Sequence, residues 1–115
     1  MERVGATAAP GTSVGEAHRL LRAHDMHHLP VLEGDLLVGI VSQRDLLRAE
    51  SDALPIRDVM SPMVFVLSPE TPVSRAARIF RERRLPVLLV LEGRSLRGVL
   101  RATDVLETAW DRAKA

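Results

Sequence analysis

The chain has no cysteine and no tyrosine, and its only aromatic residues are Phe65, Phe80 and Trp110. Zero cysteines exclude a disulfide framework, a thiol nucleophile and a thiolate zinc site, and they make the cytoplasm the expected compartment. So few aromatics provide no platform on which bases could stack. No run approaches the roughly 18 apolar residues of a membrane-spanning helix, and Met1 to Pro10 lacks the apolar centre of a secretory leader. There is no glycine-rich phosphate loop, no serine-histidine-aspartate frame and no carboxylate pair set by a predictable element, so the reading is non-catalytic.

What is present suits a small globular module. The 115 residues are 46% hydrophobic and 27% charged, enough for one compact domain or two small subdomains sharing a core. That apolar content is high for so small a chain and points to a buried subunit interface. The net charge of +1 hides an asymmetry: residues 1–59 carry six arginines against nine acids, whereas residues 60–115 carry ten basic residues against six acids.

An internal repeat organises the chain. Shifted by 59 positions, Thr7–Arg48 aligns without a gap on Val66–Glu107, and 15 of the 42 pairs are identical. The matches include Pro10 with Pro69, Val14 with Val73, Ala17 with Ala76, Gly34 with Gly93, Gly39 with Gly98 and Asp45 with Asp104. Two copies are too few for a solenoid, so two similar units about a pseudo-twofold axis are expected.

Each copy reads as strand, helix, strand, strand, helix, an α+β arrangement. A short strand (near Val4–Ala8, and Val64–Leu67) precedes Pro10 or Pro69. Thr71 followed by Pro72 signals a helix start, with the hydroxyl as cap and the proline at the first helical position, and Thr12 is assigned the same role. Val73, Ala76, Ala77 and Phe80 keep the i, i+3, i+4, i+7 spacing of a buried helical face, as Val14, Ala17 and Leu21 do in part, with Leu20 alongside. Apolar runs Leu29–Leu32 and Leu36–Val41 flank a glycine turn and read as a hairpin, repeated at Leu88–Leu91 and Leu96–Leu100. A last helix starts near Gln43 or Ala102 and carries Leu46 and Leu47, or Val105, Leu106, Ala109 and Trp110. The expected divisions are residues 1–50, a linker 51–63 broken by Pro55 and Pro62, residues 64–110, and a fraying tail 111–115.

These residues resemble a known family. Pro10 through Ala17, then Leu29-Pro30-Val31-Leu32, then Gly39 through Leu47 are similar to the CBS domain, named for cystathionine β-synthase. Pro69 through Ala76 and Gly98 through Asp104 repeat the likeness, and Asp58-Val59-Met60-Ser61 resembles the signature that often precedes such a repeat. The resemblance implies a tandem pair with sheets at the centre and helices outside, pairing through those helices as a homodimer. It also implies a regulatory module that holds AMP, ADP, ATP or S-adenosylmethionine between the repeats and acts on a separate protein.

Ser42-Gln43-Arg44-Asp45 matches the family's Ser/Thr-x-x-Asp. A carboxylate can accept from both hydroxyls of a ribose, and a helix start with a serine suits phosphate. The same spacing is also a capping box, which needs no ligand; the two roles are compatible. In the second copy the aligned residues are Arg101, Ala102, Thr103 and Asp104. Arg101 stands where Ser42 does, either as a phosphate contact or as a surface residue of a cleft without ligand.

By position in the family, His28, Leu29 and Pro30, and Leu88 in the other copy, border adenine. Met60 reads as core packing. His18, His24, His27 and His28 do not make a metal pattern, because the helix should end between His24 and His28. Arg75, Arg78, Arg81, Arg83 and Arg84 read as a solvated helix face. The rival readings are a nucleic-acid-binding protein using that helix (75–84) and a structural dimerisation module with empty clefts.

Overall fold

The computed structural model describes residues 4–62, 65–85, 87–103 and 105. The chain divides into two compact units, Gly5–Val64 and Phe65–Ala115 with Met1–Val4.

In the first unit, helix α1 (Val14–Ala23) starts at Ser13, whose hydroxyl accepts from the Glu16 N–H at 3.1 Å. The cap therefore falls one residue beyond Thr12. Thr12 instead accepts from the Ala9 N–H at 3.2 Å and braces the preceding turn. Val14, Ala17 and Leu21 are buried as their spacing requires, with Leu20 packed at the margin. Strands β1 (His28–Glu33) and β2 (Leu36–Ser42) form an antiparallel hairpin that places Glu33 opposite Leu36. Gly34, with φ of 63°, leads the two-residue turn, where a side chain would be strained and glycine is not. Opposite Val31 and Leu32 the register slips by one residue, leaving Val38 as a bulge.

Helix α2 (Gln43–Leu47) follows β2 directly. Leu46 is buried but Leu47 is 71% exposed: adjacent helical residues point about 100° apart, and on this short helix Leu47 falls on the side turned away from the core. The strand expected near Val4–Ala8 reduces to a single bridge. The Ala8 N–H donates to the Pro30 carbonyl at 3.0 Å, and the Leu32 N–H donates to the Ala8 carbonyl at 2.8 Å. Pro10, which has no N–H, stops the ladder from running on.

The segment after α2 packs back on this unit. Val14 and Gly15 N–H groups donate to the Leu54 and Asp52 carbonyls, Ile56 and Arg57 N–H groups donate to those of Thr12 and Pro10, and Ile56 is fully buried. Ser61 then pairs with Ile40 through two hydrogen bonds of 2.9 and 3.0 Å, adding a bridge to the free edge of β2. Leu29, Val31, Val41 and Ile56 lie at the centre of this core, each contributing about 1.5–3 kcal/mol by burial.

In the second unit, β3 (Val66–Leu67) runs parallel to β4 (Val87–Glu92), which pairs antiparallel with β5 (Ser95–Arg101). As the central strand, β4 buries Val87 to Val90 in succession, the continuous pattern of a strand covered on both faces. Helix α3 (Val73–Arg83) buries Ala76, Ala77 and Phe80 and ends at Arg84, in the left-handed region with φ of 52°. Its N-cap is Pro72, with no side-chain hydrogen bond. Pro72 thus precedes the first helical residue, and Thr71 lies too far upstream to cap it; the Thr71 hydroxyl meets that of Ser68 at 3.3 Å. The bulge recurs at Arg97, the position aligned with Val38. Ala102, Thr103 and Val105 are helical after β5, and Val105 is buried. Leu106, Ala109, Trp110 and the tail lie outside the described residues, in which no helix is long and apolar enough to cross a membrane.

Candidate functional site

The junction of β2 with α2 gathers the residues singled out in the first copy. Ser42 is still extended, at φ −100° and ψ 163°, while its carbonyl begins the helix. Its hydroxyl accepts from the Asp45 N–H at 3.0 Å, and Asp45 Oδ2 accepts from the Ser42 N–H at 2.9 Å, a reciprocal capping box. The Gln43 N–H donates to the His27 carbonyl at 3.1 Å, tying the helix start to the entry of β1. Register places His28 opposite Ser42, Leu29 opposite Val41 and Pro30 opposite Ile40. His28, Ser42 and Asp45 are half-buried at the turn-distal end of the hairpin, and Arg44 is exposed beside them.

This geometry keeps donors and acceptors in reserve. The capping box uses one carboxylate oxygen of Asp45 and a lone pair of Ser42. It does not require Asp45 Oδ1 or the hydroxyl proton of Ser42, so a capping residue can also contact a polyol. The dipole contribution is small, because α2 has five residues and little more than one turn. Leu29 and Pro30 are both fully buried, and the Pro30 carbonyl already accepts from the Ala8 N–H. As neighbours on β1 they face opposite sides of the hairpin, and Leu29 belongs to the core of this unit.

The second unit is built differently at the equivalent positions. Val87 pairs with Arg101, and Leu88, fully buried, pairs with Leu100. Arg101 is half-buried at the end of β5 and Thr103 is exposed. A guanidinium has no acceptor, so the serine half of a capping box has no counterpart at Arg101. Asp104 lies outside the described residues.

Among the described residues no three histidine, aspartate or glutamate side chains come close enough to hold a metal ion. One contact that sequence reasoning missed is the approach of the connecting segment to Gly39. A Cβ there would lie 2.7 Å from the Ser61 carbonyl oxygen and 2.9 Å from Met60 Sδ. The recurrence of glycine at 39 and 98 was the available signal; what touched it, Met60 and Ser61, lay 21 and 22 residues downstream in sequence and followed no periodicity.

The CBS domain family matches residues 3–52 and 56–111, almost the whole chain in two consecutive copies. The chain therefore belongs to the CBS-domain family. It is 39% identical over 102 residues to the inosine-5'-monophosphate dehydrogenase of Korarchaeum cryptofilum, covering 86% of this chain and 21% of the enzyme. The chain thus spans about a fifth of that relative's length. Among solved structures it resembles CBSX2 in complex with AMP, with 27% identity, a TM-score of 0.77, and coverage of 98% of this chain and 99% of that one. It also resembles the cytosolic domain of the Mg2+ channel MgtE in complex with ATP, with 27% identity, a TM-score of 0.78, and coverage of 90% and 44%.

Proposed function

We propose that this chain is a non-catalytic sensor of an adenine nucleotide or S-adenosylmethionine, with the Ser42–Asp45 junction as its ribose contact. The observation that carries the reading is the capping box itself, which holds a carboxylate and a hydroxyl at a fixed, half-buried edge next to His28. The AMP and ATP held by the two structural relatives support the ligand class. Arg44 and Arg101 are the candidate phosphate contacts, with Thr103 and Asp104 completing the second copy. Binding would shift the populations of two conformations and so alter affinity for a separate protein. The module is assigned to the cytoplasm and to a homodimer through its helices; Leu47, exposed on α2, is a residue such pairing would cover.

Thermal shift with AMP, ADP, ATP and S-adenosylmethionine tests this. A ligand at 100 times its dissociation constant should add about 2.7 kcal/mol to stability. Asp45→Asn keeps an acceptor for the Ser42 N–H but removes the charge, and should weaken the best ligand by about tenfold or more. Four null titrations would reject the sensor reading, whereas unchanged binding by Asp45→Asn would move the ribose elsewhere.

A further inference from the structure

We infer that the outer face of α3 is a docking surface for an acidic, partly apolar segment of a partner protein. Arg75, Arg78, Arg81, Arg83 and Arg84 are all exposed within ten residues. Arg78 is held by Glu82 at 3.3 Å, and Arg83 lies over the Phe65 ring, 5.5 Å from its centroid. Among the described residues no ion pair reaches Arg75, Arg81 or Arg84. The aligned face of α1 is nearly neutral, because Glu16 stands at the position of Arg75 and Asp25 at that of Arg84. Two charge reversals on an otherwise similar helix concentrate positive charge where folding does not need it.

The face fits carboxylates better than a phosphate backbone. Arg75 and Arg81 stand six residues apart, a rise of about 9 Å, within reach of acids spaced along one short peptide, and the arginine fork matches a carboxylate with two hydrogen bonds. Three unpaired arginines would neutralise about three phosphates, well short of the roughly six to ten contacts that give strong, salt-steep nucleic-acid binding. Phe65, 36% exposed, presents apolar surface beside the arginines, and the ring face under Arg83 is not open to a stacking base. An acidic segment with an apolar residue uses both features.

This inference takes from the sensor reading the existence of a separate partner and a homodimer contact that runs through α2 at Leu47 and leaves the α3 arginines open, and its test does not depend on nucleotide. The full chain is titrated by fluorescence anisotropy against a labelled peptide with glutamate at every third or fourth position and one leucine, and against a labelled single-stranded RNA, at about 0.15 M salt. The peptide should bind more tightly than the RNA. Arg75→Glu with Arg81→Glu, which reverses the charge at two exposed positions, should weaken the peptide about tenfold or more, and Arg75→Lys with Arg81→Lys should fall between. Tighter RNA binding, no peptide binding, or peptide binding indifferent to the charge reversal would each overturn the inference. Circular dichroism of the variants confirms that α3 is retained. An AMP thermal shift that survives the reversal, beside lost peptide binding, separates this surface from the nucleotide site.

Discussion

The two units repeat one plan with two chemistries. Both carry the hairpin, the positive-φ glycine and the bulge at the same aligned positions. They part at the surfaces where ligands and partners would arrive. The first presents serine opposite histidine, with a reciprocal cap; the second presents arginine opposite valine. Their long helices differ similarly: α1 is capped by Ser13 and carries an acid in its first turn, whereas α3 begins at Pro72 without a side-chain cap and has none. Duplication preserved what the hairpin needs for its register; in the core divergence exchanged one apolar residue for another, as Leu21 for Phe80 and Leu46 for Val105, and at the surface it changed polarity and charge.

The largest effect separating the copies should come from Gly39. Gly39→Ala places a methyl 2.7 Å from a backbone oxygen, which cannot rotate away, so either the Ile40–Ser61 bridge opens or β2 shifts. Overpacking of this kind costs about 1–3 kcal/mol. Urea unfolding of Gly39→Ala beside Gly98→Ala measures whether the two hairpins share this close approach: equal losses mean that the second edge is also covered, and a loss confined to Gly39 makes the docked connector a property of the first repeat.

A smaller effect is expected at the cap. Ser42→Ala removes the acceptor for the Asp45 N–H and should cost about 1 kcal/mol, while Arg101→Ala removes no acceptor and should cost no cap energy. Combining Ser42→Ala with Asp45→Ala, each of which removes one bond of the box, shows whether it acts as a unit, since partners in one hydrogen-bonded pair lose less together than the sum of their separate losses. Additive losses would mean that the two bonds work independently.

Sequence alone carried the strand order, the hairpins and the buried faces, because each rests on a short-range period: Val14, Ala17 and Leu21 on one helical side, Gly34 and Gly93 at the turns. The Ser42–Asp45 box was readable for the same reason, being three residues long. Caps at helix α1 and helix α3 were misplaced by one residue, since Thr12-Ser13 and Thr71-Pro72 each offer two adjacent candidates, and the choice between them depends on where the backbone leaves the extended region. Leu46 and Leu47 were both placed on the last helix, but which of the two enters the core depends on how that helix sits against the sheet. The docking of Ile56 and Ser61 on the first unit has no local signature, as it depends on backbone groups of distant segments that any sequence carries.

The smallest difference between the copies concerns acid. Arg19 donates to both carboxylate oxygens of Glu16, through Nε at 2.8 Å and through Nη2. The hydrogen bonding holds the Glu16 carboxyl below its ordinary value of 4.5, with slight burial opposing and the nearby positive charge assisting. A carboxyl depressed in the folded state contributes stability above its unfolded value, and that contribution is lost as pH falls through the folded one. The window therefore opens near pH 4.5 and extends below it, and because both groups are exposed the effect on stability should be slight. In α3 the aligned residue is Arg75, so this carboxyl has no counterpart in the second copy. An NMR titration of the Glu16 carboxyl should show a midpoint below 4.5 that rises in Arg19→Ala; a midpoint indifferent to Arg19 would assign the shift to something other than this pair and remove acid sensitivity as a distinction between the repeats.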